Sequence, residues 1–63
     1  MMLNGEEQPD VDISIAALLK THHLRTTGIA VALNGEVVPR SLWEETMTTP
    51  GCVVEILTAA AGG

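Results

Sequence analysis

A chain of 63 residues with a formal net charge of −5 has room for one small domain and excludes several classes of protein. Only three residues are Lys or Arg, so the basic surface that nucleic acid binding requires is missing, and we expect no nucleic acid partner. No apolar run approaches the ~20 residues of a membrane span, so we expect no membrane association.

The cysteine count and the opening residues bear on the compartment. Cys52 is the single cysteine, so no internal disulfide can form, which fits a reducing environment. No basic segment followed by an apolar run opens the chain, as it would in a secretory signal. We therefore expect a cytoplasmic protein, and the acidic balance favours partners with basic docking faces.

The first residues predict a hairpin. Asn4-Gly5 is a strong two-residue turn signal, because both positions tolerate positive φ. We expect a very short strand before this turn and a second strand over roughly residues 6–11. Pro9 cannot donate a ladder hydrogen bond, which places the second strand at a sheet edge.

A helix follows the hairpin. Its apolar face is marked by residues at helical spacing, namely Ile15, Leu18, Leu19 and His22. Ser14 is the expected N-cap, and Thr26-Thr27-Gly28 is the expected end.

The second half predicts a hairpin and a final strand. Residues 29–33 alternate large and small apolar side chains with a period of two, and Asn34-Gly35 is a second turn signal. The returning strand, 36–38, stops at Pro39. After it, residues 40–47 predict a turn or short helix in which Leu42 and Trp43 cover the core, and residues 52–58 predict the last strand.

This element order predicts an α+β domain with a mixed sheet of about five strands and one main helix packed on one face. If the first and last strands pair in parallel at the centre, the arrangement is the ubiquitin-like β-grasp. We expect residues 1–59 to form the β-grasp domain and residues 60–63 to form a flexible tail.

The last residues carry the strongest functional signal. Ala61, Gly62 and Gly63 form a thin peptide with almost no side chains. Such a peptide can pass through a narrow channel in another protein and present its terminal carboxylate for activation. A frayed terminus of small residues is the ordinary alternative, but a Gly-Gly end directly after the last strand of a β-grasp favours the functional interpretation.

Two segments resemble the sulfur carriers of thiamine biosynthesis, the ThiS family. Residues 29–43, with the sequence IAVALNGEVVPRSLW, are similar to the family's central hairpin, and residues 51–57, GCVVEIL, together with the final Ala-Gly-Gly, are similar to its last strand and tail. The first third matches only in its pattern of elements. Position 52 is typically Asp in relatives, whereas here it is Cys.

The resemblance implies a carrier rather than an enzyme. An adenylating, E1-like activating enzyme would use ATP and Mg to activate the Gly63 carboxylate. A sulfur donor such as a cysteine desulfurase would convert it to a thiocarboxylate, and a thiazole synthase would take the sulfur for the thiazole ring of thiamine. Gly63 would then carry the sulfur, Gly62 and Ala61 would pass through the channel, and this chain would bind no cofactor itself.

Candidate docking residues follow from strand alternation. Val54 and Ile56 are expected under the helix, which leaves Val53 and Leu57 on the open face of the sheet. Arg40 is a candidate docking cation. Three other features are weaker, namely Cys52 as a small core residue, the adjacent pair His22 and His23 as a poor metal pair, and the Glu pairs at 6–7 and 44–45 as solvated charge.

Two alternatives remain open at this stage. The same thiocarboxylate chemistry serves molybdopterin, cysteine, methionine and some natural-product synthesis. A ubiquitin-like modifier, joined to lysines of other proteins through Gly63, needs the same activated Gly-Gly carboxylate.

Overall fold

The structure is a computed structural model that describes residues 1–58, so the expected tail at 60–63 and the boundary at 59 lie outside the described residues. The described part contains five strands, one α-helix and one 3₁₀ turn. In chain order they are β1 (Met2–Leu3), β2 (Glu6–Glu7), α1 (Ile15–Thr21), β3 (Ile29–Leu33), β4 (Glu36–Val38), the 3₁₀ turn (Arg40–Leu42) and β5 (Val53–Thr58).

The five strands form one mixed sheet with β5 at its centre, in the order β2-β1-β5-β3-β4. Strand β1 runs parallel to β5, with Met2 opposite Val53. Strand β3 runs antiparallel to β5, from the Leu33–Val54 pair to the Ile29–Thr58 pair. The parallel central pair, the two flanking hairpins and the single helix confirm the β-grasp arrangement.

The core lies between α1 and one face of the sheet. Ile15, Leu18 and Leu19 of α1 are fully buried against Val31 and Val54 of the two long strands. Side chains at alternate positions of β3 and β5 face this core, because successive residues of a strand point to opposite faces. Ile29, Leu33 and Ile56 are partly buried at its margin.

Helix α1 begins as expected and ends earlier. The Oγ of Ser14 accepts a hydrogen bond from the Ala17 N–H at 3.1 Å, which confirms the N-cap. The predicted end at 26–28 was wrong, because α1 ends at Thr21. His23 adopts a left-handed conformation with φ of +56°, and this conformation ends the helix. The N–H groups of His23 and Leu24 then donate hydrogen bonds to the carbonyls of Lys20 and Leu19 in the last turn.

Two further expectations change in detail. Strand β2 stops at Glu7 rather than near residue 11, because Pro9 has no N–H with which to continue the hydrogen-bond ladder. In the connector, Trp43 is buried and its Nε1 donates to the Val38 carbonyl at 2.9 Å, as expected. Leu42, by contrast, is 43% exposed and does not cover the core.

Candidate docking face and tail exit

Strand β5 leads directly into the tail. It is the central strand, and its last residue, Thr58, pairs with Ile29, the first residue of β3. On the β1 side, Asn4 Oδ1 accepts a hydrogen bond from the Ile56 N–H at 2.7 Å. Strand β5 is therefore hydrogen-bonded beyond the end of the two-residue strand β1. We call the end of the sheet formed by Thr58 and Ile29 the tail exit. Gly63, Gly62 and Ala61 lie outside the described residues, so their assigned roles stay predictions.

The open face of the sheet carries the docking candidates of β5. Val53 is 40% exposed and Leu57 is 56% exposed, whereas Val54 between them is fully buried. Leu57 lies opposite Ala30 on β3. Because Ala30 is small, it leaves the Leu57 side chain uncovered on that side. The structure therefore places both candidates on the face away from α1, as strand alternation predicted.

Val37 belongs to the same face, although the sequence interpretation did not single it out. It is 70% exposed and pairs with Ala32, which in turn pairs with Glu55 of β5. The signal for it was available in the alternation of β4. Its neighbour Val38 is buried opposite Val31, so Val37 must point to the open face. We call Val37, Val53 and Leu57 the docking face.

A negative charge lies within this apolar face. Glu55 is exposed and stands on β5 between Val53 and Leu57, directly across from Ala32. An interface that buries Val53 and Leu57 also brings the Glu55 carboxylate close to the partner. A buried carboxylate needs an opposite charge or a hydrogen-bond donor. The face is therefore complementary to an apolar surface that includes a cation.

Arg40 does not join the strand residues of the docking face. It begins the 3₁₀ turn after β4, and its guanidinium lies over the indole ring of Trp43, 5.7 Å from the ring centroid. This distance is within the range of a cation–π contact. Arg40 is exposed, and it lies on the 3₁₀ turn rather than on β5 with Leu57 and Val53. Its docking role stays a prediction.

The weaker candidates for chemistry are Cys52 and the two adjacent histidines. Cys52 is 2% exposed and packs in the core next to the start of β5, which confirms the interpretation as a small core residue. His22 is half-buried at the end of α1 and His23 is exposed. Within residues 1–58, no group of His, Cys, Asp and Glu side chains has the arrangement of a metal site.

In the same range, no helix has the length and apolar character needed to cross a membrane.

Comparison with known proteins assigns the family. All 63 residues match the model of the ThiS family. A crystal structure of the thiamine biosynthesis protein ThiS from Geobacter metallireducens is 29% identical, with a TM-score of 0.84 over 98% of this chain and 96% of that chain. A solution NMR structure of a thiamine biosynthesis protein from the same organism is 27% identical, with a TM-score of 0.73 over 98% and 85% of the two chains. Among curated proteins, none matches. The full-length family match and the shared fold show that this chain belongs to the ThiS family.

Proposed function

We propose that this chain carries sulfur as a thiocarboxylate on Gly63 and donates it for the thiazole ring of thiamine. Membership of the ThiS family supports the general role of a sulfur carrier. The observation that carries the specific proposal is that the family match extends through residue 63 and so includes the Gly62-Gly63 end.

The chemistry requires two steps at the tail carboxylate. A carboxylate has no adequate leaving group, so the activating enzyme first joins a Gly63 oxygen to the AMP portion of ATP and releases pyrophosphate, with Mg neutralising the phosphates. A sulfide equivalent, released from the donor's persulfide by a thiol reductant that is itself oxidised to a disulfide, then attacks the acyl carbon. AMP leaves with the electrons of the broken C–O bond, and one oxygen of the carboxylate has been replaced by sulfur.

The chain's own contribution is presentation rather than catalysis. In this proposal the docking face holds the body against the partner, and the tail follows Thr58, the last residue of the central strand, in the sequence. Ala61 and Gly62 offer no side chain larger than a methyl group, so a narrow channel can admit them. In this proposal ATP and Mg belong to the activating enzyme, and the chain holds no cofactor.

The family relationship implies an activating enzyme and thiazole-synthesis partners in general terms. We propose an adenylating E1-like enzyme, a sulfur donor such as a cysteine desulfurase, and a thiazole synthase as those partners. We propose that all three partners meet the chain in the cytoplasm.

Intact-mass spectrometry tests the proposal. The full chain is incubated with the activating enzyme, ATP, Mg and a sulfur donor, and the expected gain equals the mass of sulfur minus that of oxygen. A chain lacking Gly63 is the control and should show no gain. Absence of a gain with an activating enzyme that is active on another carrier would contradict the proposal.

Complementation separates the thiamine pathway from other uses of the same chemistry. The gene should restore growth of a thiamine auxotroph that lacks its own carrier, and the form without Gly63 should fail. Conjugates of higher mass that survive reducing, denaturing gels would instead indicate a protein modifier.

A further inference from the structure

The charges of this acidic chain are unevenly distributed. No Asp or Glu occurs between Asp12 and Glu36, and residues 13–35 hold Lys20, Arg25 and both histidines. With histidine neutral, this stretch has a formal charge of +2, whereas the rest of the chain combines eight acidic residues with Arg40 for −7. The stretch includes α1, β3 and the connection between them, so the positive region coincides with particular elements of the fold.

Arg25 places one of these cations next to Gly28, the residue that directly precedes the tail exit. The connection from α1 to β3 ends at Gly28, and the next residue, Ile29, pairs with Thr58. Arg25 Nη1 lies 3.7 Å from the position that a Cβ on Gly28 would occupy. The guanidinium therefore lies beside the residue that directly precedes the Ile29–Thr58 pair.

The Arg25 side chain is exposed and has no ionic partner within residues 1–58. Both ion pairs found in residues 1–58 involve the amino group of Met1. The cation–π contact found in the same range is made by Arg40 and not by Arg25. A guanidinium offers a planar set of donors that matches a carboxylate in a bidentate arrangement. The side chain is therefore available to a carboxylate of another protein.

We propose that Arg25 is a docking cation beside the tail exit, and that the activating enzyme meets it with a carboxylate at the rim of the channel that receives the tail. This inference rests on the proposed function, because it concerns the same partner. The net negative charge of the chain favours basic partner surfaces. Arg25 is different, because it requires an acidic group on the partner surface that faces it.

The position of Arg25 explains what the contact would add to the apolar docking face. A tail that enters a channel fixes one axis of the carrier but leaves rotation about that axis free. A charge that stands away from the axis distinguishes one rotation from the others, and complementary charges also set the rate of encounter. Arg25 would therefore select the orientation in which the docking face meets its partner surface.

Two charge reversals with the same net charge test the proposal. Arg25→Glu and Lys20→Glu both change the formal charge from −5 to −7, but only the first reverses the charge beside Gly28. At low salt we expect Arg25→Glu to raise KM for sulfur loading by about tenfold with kcat nearly unchanged, and Lys20→Glu to change KM by less than about twofold. Arg25→Lys should restore most of the wild-type KM, and the effect of Arg25→Glu should shrink at high salt.

A binding measurement without ATP separates this inference from the proposed function. Calorimetric titration of the activating enzyme with each folded variant should show weaker binding for Arg25→Glu than for Lys20→Glu by a similar factor. Equal Kd values for the two variants would overturn the role of Arg25. If they differ while the wild-type chain never gains sulfur, the docking role stands and the proposed chemistry fails.

Discussion

Thr48 is polar yet almost completely buried, with 1% of its surface exposed. Its Oγ1 donates a hydrogen bond to the Val11 carbonyl and accepts one from the Ile13 N–H at 3.3 Å. Its own N–H donates to the Ile13 carbonyl at 2.8 Å. One side chain thus ties the segment before α1 to the connector before β5, and it satisfies two backbone groups that a hydrophobic residue would leave unpaired.

We expect Thr48→Val to lower the free energy of unfolding by about 1–3 kcal/mol, because two partly buried backbone groups lose their partner while the volume is unchanged. Urea denaturation measures the change. Thr48→Ser is the matched control, since it keeps the hydroxyl and should lose only about 0.8 kcal/mol for the missing methyl group. Equal stability of the Val variant and wild type would contradict this account.

Asp10 joins the start of the chain to the turn before β5. One carboxylate oxygen, Oδ1, accepts hydrogen bonds from the amino group of Met1 and from the Gly51 N–H. The bond from the amino group, followed by that from Gly51, holds the pKa of Asp10 below its ordinary value of 3.8. In turn, the hydrogen bond to Asp10 is the main cause that raises the pKa of the Met1 amino group above 8.0.

These shifts predict a pH window for Asp10→Asn. A lowered carboxyl pKa stabilises the fold above pH 3.8, and a raised amine pKa stabilises it below pH 8.0. The stability difference between wild type and Asp10→Asn should therefore be largest between these values. It should shrink as the pH falls through the folded pKa of Asp10 and as it rises through that of the amine. Denaturation curves across this range measure it, and a difference independent of pH would contradict the pairing.

At the scale of elements, α1 is followed by a residue, His23, that is not well suited to the backbone conformation it adopts there. His23 has a φ of +56°, its N–H donates to the Lys20 carbonyl at 3.1 Å, and the Leu24 N–H donates to the Leu19 carbonyl at 2.8 Å. Glycine is the usual residue at this position, because a Cβ is unfavourable in the left-handed region.

We expect His23→Gly to raise the free energy of unfolding by roughly 1 kcal/mol relative to His23→Ala, since the two variants remove the same side chain and differ only in the Cβ. Thermal or urea unfolding of the pair measures this difference. If the Ala variant is the more stable one, His23 does not hold the left-handed conformation in solution.

The two faces of strand β5 have different roles, since one packs in the core and the other is exposed for docking. Val54 is fully buried, whereas Leu57 is 56% exposed. Val54→Ala should therefore cost about 1.5–3 kcal/mol of stability, and Leu57→Ala should change it by less than about 0.5 kcal/mol. Under the proposed function, Leu57→Ala raises KM with the activating enzyme. A destabilised Leu57→Ala variant would show that this face is covered rather than open.

At the scale of the whole molecule, the buried core of the described residues lies well before the tail in the sequence. The buried hydrophobic residues of the described range, from Met1 to Val54, all precede residue 55. A chain that ends at Thr58 should therefore unfold within about 0.5 kcal/mol of the full chain and should gain no sulfur. Urea denaturation and intact-mass spectrometry provide the two measurements. A large loss of stability would instead place part of residues 59–63 against the domain.

Much of the fold could be predicted from local sequence patterns. The two Asn-Gly turns have the expected left-handed asparagines, with φ of 49° at Asn4 and 51° at Asn34. The face of α1 and the alternation of β3 and β5 also identified the core, because periodicity determines which side chains share a face. The left-handed His23 and the buried hydroxyl of Thr48 had no such local signal, and neither did the carboxylate of Asp10 between Met1 and Gly51.

The element order and the core face could be inferred from the sequence, because backbone preferences and side-chain alternation are local properties. The resemblance to the ThiS family was also visible there, in the residues of the central hairpin and the last strand. In contrast, the set of residues around the tail exit could be identified only from the folded arrangement of the strands. Ile29 follows the connection that holds Arg25 and Gly28, and it meets the distant residue Thr58 through the register of β3 and β5. Val37 likewise joins Val53 and Leu57 on one face because three strands align across the sheet. Such proximity depends on long-range strand pairing, which no local pattern specifies.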